Sequence, residues 1–251
     1  MKIKKGMRAF CLLLVMALLG AVFVPAVSAG IGDDNDASYP EVGVEWVNDY
    51  WPNPLSHSDE SATDFYNTLG NAGWIKRFCL GDRQTAVNQW SDNDENYVDG
   101  VDITWFSGHG HQAYLLLTNN PLDWVQFNLV EWGDYDAEWI LLHSCHTTEI
   151  PGNFKGLLHK ALNGAHLICG FNTIGYDFAD DGENCAQRLL NGEKVRFAWF
   201  NAMDETHPDT IRVGIIGENS NCGNDHIWKE GTVIADPTVD DTTYYWLYYC
   251  N

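Results

Sequence analysis

Two runs in this chain, 137–145 (AEWILLHSC) and 165–171 (AHLICGF), are apolar at nearly every position rather than at every second one. A strand of that kind must be covered on both faces. A half-solvated antiparallel sheet is therefore excluded, and layers are required above and below. The rest of the chain supplies candidates. Residues 41–47 (EVGVEWV) alternate as a strand does, and 73–81 (GWIKRFCLG), 101–107 (VDITWFS) and 211–218 (IRVGIIGE) read as further strands. Between them lie segments with helical caps and spacing. One starts at Ser58 or Ser61 and runs to about Leu69, stopped by Gly70. A short helix opens 82–100 before an acidic loop. A third helix spans 152–164 with Gly164 as its stop, and one or two more lie in 181–203. Strands alternating with helices predict an α/β fold, with a mostly parallel sheet and helices on both faces. The tail, 231–251, predicts a short β extension.

The ends divide the chain. Residues 1–29 carry Lys2, Lys4, Lys5 and Arg8, then an apolar run, then Val27-Ser28-Ala29. That is the pattern of a cleaved export signal, with an uncleaved membrane anchor as the alternative. Residues 30–40 are an acidic start without a core-forming pattern. Residues 41–218 form the α/β domain, and 219–251 a β-rich extension packed on it. With the leader gone, the formal charge moves from −21 to −25. Such a surface repels nucleic acid and anionic lipid, and it suits cationic substrates, divalent cations or a salty medium. The secreted part keeps Cys79, Cys145, Cys169, Cys185, Cys222 and Cys250. Export permits disulfides, and the even count suits full pairing, which weighs against any working thiol. Cys222 with Cys250 is the expected pair, and Cys169 is expected to be buried and free.

Two strands end in reactive residues. One closes as WFSGHGHQ, with His109 at its tip, and the next as WILLHSCHTTE, with Cys145 at its tip. In parallel sheets, chemistry gathers at the carboxyl ends of the strands. If the two strands are parallel neighbours, His109 and Cys145 share one edge. A thiol attacks a carbonyl as thiolate and needs a base close by. His109 can take the thiol proton and return it to the leaving amine. Gly108 allows a tight turn, and Gly110 admits a substrate. The N–H groups of Gly110 and Cys145 would form an oxyanion hole. No residue that orients His109 can be nominated.

A strand ending in Ser-Gly-His-Gly, followed by an apolar strand ending in Ser-Cys, resembles the caspase-like (clan CD) cysteine peptidases. That group includes metacaspases, gingipains, legumains, separases and CHAT domains. WFSGHG and SCHT look most like metacaspases, and 156–173 (GLLHKALNGAHLICGFNT) is similar to CHAT domains. The resemblance covers about 42–216 and implies a three-layer sandwich. It also implies an exported endopeptidase with Cys145 as nucleophile, His109 as base and Gly110 in the oxyanion hole, acting on a peptide or protein substrate without a required cofactor. Metacaspases usually carry an acidic residue two before the cysteine. His143 stands there instead, so basic specificity does not carry over. Ser107, His143 and Asp177 are the expected substrate pocket, and Asp177, Asp180 and Asp181 either line a cation pocket or form a solvated loop.

Other readings stay open. A caspase-like fold can serve as a scaffold with the dyad unused. His109, His111, His143, Cys145 and His146 offer zinc-type donors at two strand ends, which is a zinc hydrolase reading. Adjacent residues such as Cys145 and His146 point apart, which weakens it. Asp92, Asp94 and Asn96 have alternating calcium-ligand spacing, but Tyr97 and Ile103 stand where an EF-hand needs Gly and Glu. Weak Ca2+ binding or a solvated loop remains there. Trp46, Trp51 and YYWLYY (244–249) are read as core and sheet packing, with an exposed aromatic surface as the alternative.

Overall fold

A computed structural model describes residues 39–118, 123–150, 157–239 and 243–251. The leader and nearly all of the acidic start lie outside the described residues. In chain order the elements are β1 (Glu41–Trp46), α1 (Ser58–Asn71), β2 (Ile75–Gly81), β3 (Ile103–Ser107), β4 (Gly110–His111), β5 (Tyr114–Leu116), β6 (Trp124–Gln126), β7 (Trp139–His143), β8 (Leu167–Phe171), α2 (Asp180–Leu190), α3 (Val195–Thr206), β9 (Arg212–Gly217) and β10 (Tyr244–Tyr249). Seven strands make one sheet, ordered β10-β9-β8-β7-β3-β1-β2, and β4-β5-β6 make a small antiparallel one. The five strands from β2 to β8 run parallel, while β9 and β10 are antiparallel to their neighbours. The fold is α/β with a mostly parallel sheet. Its central strands β3, β7 and β8 are buried at every residue, as their continuous apolar sequences require.

The expectation of helices on both faces is corrected. Among the described residues, all three α-helices pack into one core with Val44, Trp105, Leu141 and Cys169. The opposite core joins Phe106, Ile140, Leu142 and Ile168 to residues from the strand connections, among them Trp90 and Trp132. From β1 the sheet grows one way to β2 and the other way to β3, β7 and β8. Right-handed crossovers in opposite directions fall on opposite faces. The connections on the second face have no helical period, and they cover the sheet with single large side chains instead. Trp90 meets Phe106 at 5.5 Å and Trp132 at 5.7 Å, both edge-on. Each such burial is worth roughly 1.5–3 kcal/mol, so a few of them replace a helix.

Local differences follow. The short helix expected in 82–100 is a set of 3-10 turns. Of the helix expected over 152–164, residues 152–156 lie outside the described residues, and Leu157–Lys160 is one 3-10 turn. Helix α1 passes Gly70 and stops at Gly73, whose φ of +98° is the left-handed geometry glycine tolerates. The tail contributes one strand, β10, at the sheet edge. Tyr244, Leu247 and Tyr249 are exposed there, while Trp246 and Tyr248 pack inward; Trp51 is largely exposed.

All six described cysteines are free, so the expected Cys222–Cys250 disulfide is corrected. The antiparallel register pairs Tyr249 with Arg212 and Tyr244 with Gly217, leaving Cys250 beside the start of β9 and Cys222 beyond its end. A six-residue strand separates them by about 20 Å, far outside disulfide reach. Cys169 is buried and free, as expected. Among the described residues, no helix is long and apolar enough to cross a membrane.

Candidate functional site

β3 and β7 are parallel neighbours, with Ser107 level with His143. His109 and Cys145 each follow two residues later, so they leave the same sheet edge side by side. Both line a cleft of about 60 Å³, together with Leu55, His143, Tyr176 and Asp177. The cleft therefore brings together four of the residues expected from sequence.

His109 is oriented by groups that sequence reasoning missed. Its Nε2 is 2.9 Å from the main-chain carbonyl of Asn53, in the loop after β1. An N–H at Nε2 donating there leaves Nδ1 as the basic nitrogen. The backbone N–H of His109 donates to the Tyr50 hydroxyl at 3.1 Å, which donates to the Leu116 carbonyl at 2.5 Å. The Tyr50 ring also packs 4.4 Å from the imidazole. A main-chain acceptor leaves no side-chain signature, so only the neighbouring aromatic-proline loop, NDYWPNP, hints at this support.

Cys145 is half-buried and held by Gly175. Its Sγ lies 3.5 Å from the Gly175 carbonyl and accepts the Gly175 N–H at 3.3 Å. Burial pushes the thiol up from its ordinary range, and the Gly175 N–H offsets part of that. The sulfur here is a thiol resting against the main chain.

Gly110 has a different task from the one expected. It is absent from the cleft lining, and a Cβ there would meet Ser144 Oγ at 2.2 Å and the Cys145 carbonyl at 3.1 Å. Glycine is needed because the two reactive turns pack against each other, rather than to admit a substrate.

Ser107 is buried below the cleft instead of lining it, and serves His143. His143 Nδ1 is 3.1 Å from Ser107 Oγ, its Nε2 is 2.6 Å from Asp181 Oδ2, and its ring stacks on Trp105. Asp181 is fully buried in the first turn of α2, which corrects both the cation-pocket and the solvated-loop readings for it. Thr206 Oγ1 donates to its Oδ1 at 2.5 Å. Asp180 is exposed. Asp177 lines the cleft, but its carboxylate accepts the N–H groups of Ser56 and His57 and the Ser58 hydroxyl.

Among the described residues, one group of three metal-type donors lies within 4.8 Å, namely His143, Asp181 and His207. Its donor types suit zinc, yet the lone pairs are engaged. His207 Nε2 accepts the Tyr176 N–H at 3.1 Å, and its Nδ1 is 2.9 Å from Thr206 Oγ1. Burial holds His207 below the usual histidine range, and both ring nitrogens have protein partners, Nε2 accepting from Tyr176 and Nδ1 facing the Thr206 hydroxyl that already donates to Asp181. The five-residue set expected from sequence is not assembled. His111 stacks on Tyr114 at 4.8 Å, and His146 pairs with Glu149 at 2.7 Å. In the Asp92–Asn96 loop, burial raises Asp94 to about 6, and Asn96 bonds Asn93.

No curated protein matches the chain. A crystal structure of protein GSU0716 from Geobacter sulfurreducens overlaps 69% of this chain and 90% of its own, at 12% identity and a TM-score of 0.41. Residues 44–249, from inside β1 to the end of β10, match a family described as a domain of unknown function, and the chain belongs to that family, DUF6345.

Proposed function

We propose that this chain is an exported cysteine endopeptidase with a caspase-like core, hydrolysing peptide bonds through an acyl-enzyme on Cys145. One observation carries the reading: a free cysteine and a histidine leave parallel neighbouring strands level with each other and line one cleft. His109 Nδ1 takes the Sγ proton, and the thiolate attacks the carbonyl carbon. The same proton then passes to the leaving amine as the C–N bond breaks. Water, deprotonated by His109, hydrolyses the thioester and restores the thiol. For the first step Sγ must turn away from Gly175 toward His109. Asp177 and Asp181 are already engaged by protein donors, which argues against a basic residue before the cut.

The test is hydrolysis of a mixed peptide library by the purified protein, with Cys145→Ala and His109→Ala alongside. Cleavage lost in both variants, with unchanged melting temperatures, supports the reading. Cleavage that survives in Cys145→Ala overturns it. A second reading is a binding protein on the same fold, favoured by the raised thiol and its two contacts with Gly175. Brief iodoacetamide treatment separates the two. Rapid Cys145 labelling slowed by His109→Ala marks an activated thiol, and slow labelling equal to that of the buried cysteines marks the binding protein.

A further inference from the structure

The edge of the sheet opposite the cleft holds a second cluster. Glu138 and His166 immediately precede β7 and β8, and the N–H of His166 donates to the Glu138 carbonyl at 2.8 Å. Both side chains are almost wholly buried, with 3% and 1% exposure. They line a cavity of about 10 Å³ together with Asp136 and Asp236, room for about one water-sized particle. Among the described residues, the buried atoms Glu138 Oε2 and His166 Nε2 have no hydrogen-bond partner. The other side of the imidazole is fixed, since His166 Nδ1 lies 2.5 Å from Asp225 Oδ2. Asp225 is fully buried and also accepts the Ile234 N–H at 2.8 Å and the Trp139 indole N–H at 3.3 Å. A carboxylate that takes the Nδ1 proton and turns Nε2 outward is how proteins prepare a histidine for a metal.

We propose that His166 Nε2 and Glu138 bind a divalent transition-metal cation of the zinc class, with the exposed Asp236 closing over it. Asp236 Oδ1 stands 3.5 Å from His166 Nε2 and belongs to the tail segment before β10. The imidazole donor selects against calcium and magnesium, which take all-oxygen shells. A cation there would offset the charge of Asp136, Glu138 and Asp236, which line the same cavity. Once bound, it would tie the tail segment to the starts of β7 and β8.

The test uses the full chain stripped with a chelator and titrated with Zn2+ and with Co2+. One site is expected, with a rise in melting temperature and tighter binding as pH rises. The Co2+ form should lack the intense thiolate charge-transfer band, which separates this site from any formed by the cysteines. Asp236→Asn, compared with its own metal-free form, should weaken binding roughly tenfold or more. Glu138→Gln should weaken it at least as much, and His207→Gln, in the cleft network, should leave it unchanged. Three results overturn the proposal: no binding, a thiolate band, or wild-type affinity in both Asp236→Asn and Glu138→Gln. Any of these would make His166 an ion-pair partner of Asp225 and Asp236 only.

Discussion

Replacing Glu45 by glutamine isolates one buried carboxyl and gives a number. Glu45 lies on β1, fully buried on the face away from the α-helices, where it accepts the Trp90 indole N–H at 2.7 Å. Burial raises it from 4.5 to about 8, partly offset by that hydrogen bond. The folded protein thus holds the proton more tightly than the unfolded chain. The stabilisation is fully present below pH 4.5 and is lost as pH rises toward 8. From pH 4 to pH 7 the loss from this residue is about 3 kcal/mol. For a domain of this size that is roughly 6–12 °C in melting temperature. Glutamine keeps the carbonyl that Trp90 needs and carries no proton to lose. Melting curves at pH 4, 5.5 and 7 should show wild type and Glu45→Gln close together at pH 4 and separated at pH 7, with the variant higher. Parallel curves across the range would refute the argument. Asp99 and Asp102, both raised to about 8 mainly by burial, add their own slopes to both proteins and cancel in the difference.

Other expectations concern the site and its support. Gly110→Ala drives a methyl into Ser144 Oγ and should cost about 1–3 kcal/mol; a fall in urea midpoint together with altered Cys145 labelling would register it. Tyr50→Phe leaves the His109 N–H and the Leu116 carbonyl without their shared partner, a loss of about 1–3 kcal/mol in denaturant titration. Alkylation without reductant, followed by peptide mapping, should find all six described cysteines modified once the protein is denatured, and a melting temperature indifferent to reductant. Asp177→Asn weakens the hold on Ser56 and His57, and faster proteolytic nicking of the loop after β1 should report it.

The strands were legible where burial on both faces forces a continuous apolar run, as in β3, β7 and β8. They were also legible where alternation marks a half-covered strand, as in β1. The connections on the helix-free face were not, because Trp90, Trp132 and Phe127 cover the sheet one at a time and leave no period to read. The direction of β9 was hidden as well. Its sequence is as apolar as that of a parallel strand, and two successive helices on one face return the chain reversed. At the site, His109 and Cys145 stood out because reactive side chains closed two strands. The Asn53 carbonyl and the Gly175 amide are main-chain atoms that any residue would supply. Asp181 reaches His143 from a helix thirty-eight residues on, beside Asp180 and Glu183 in an acidic stretch that looks like surface.

The segment from Gly175 to Asp177 touches three things at once. Gly175 holds the Cys145 sulfur, Tyr176 holds His207, and Asp177 holds the loop that carries the Asn53 carbonyl facing His109. Three consecutive residues thus act as a common latch on the Cys145 sulfur and on the loop that faces His109. A displacement of this segment would free the sulfur and loosen the anchor of His109 in the same movement, so the two side chains are not held independently. The arrangement of both side chains in this cleft is thus a property of one short strap, which itself lines the cleft.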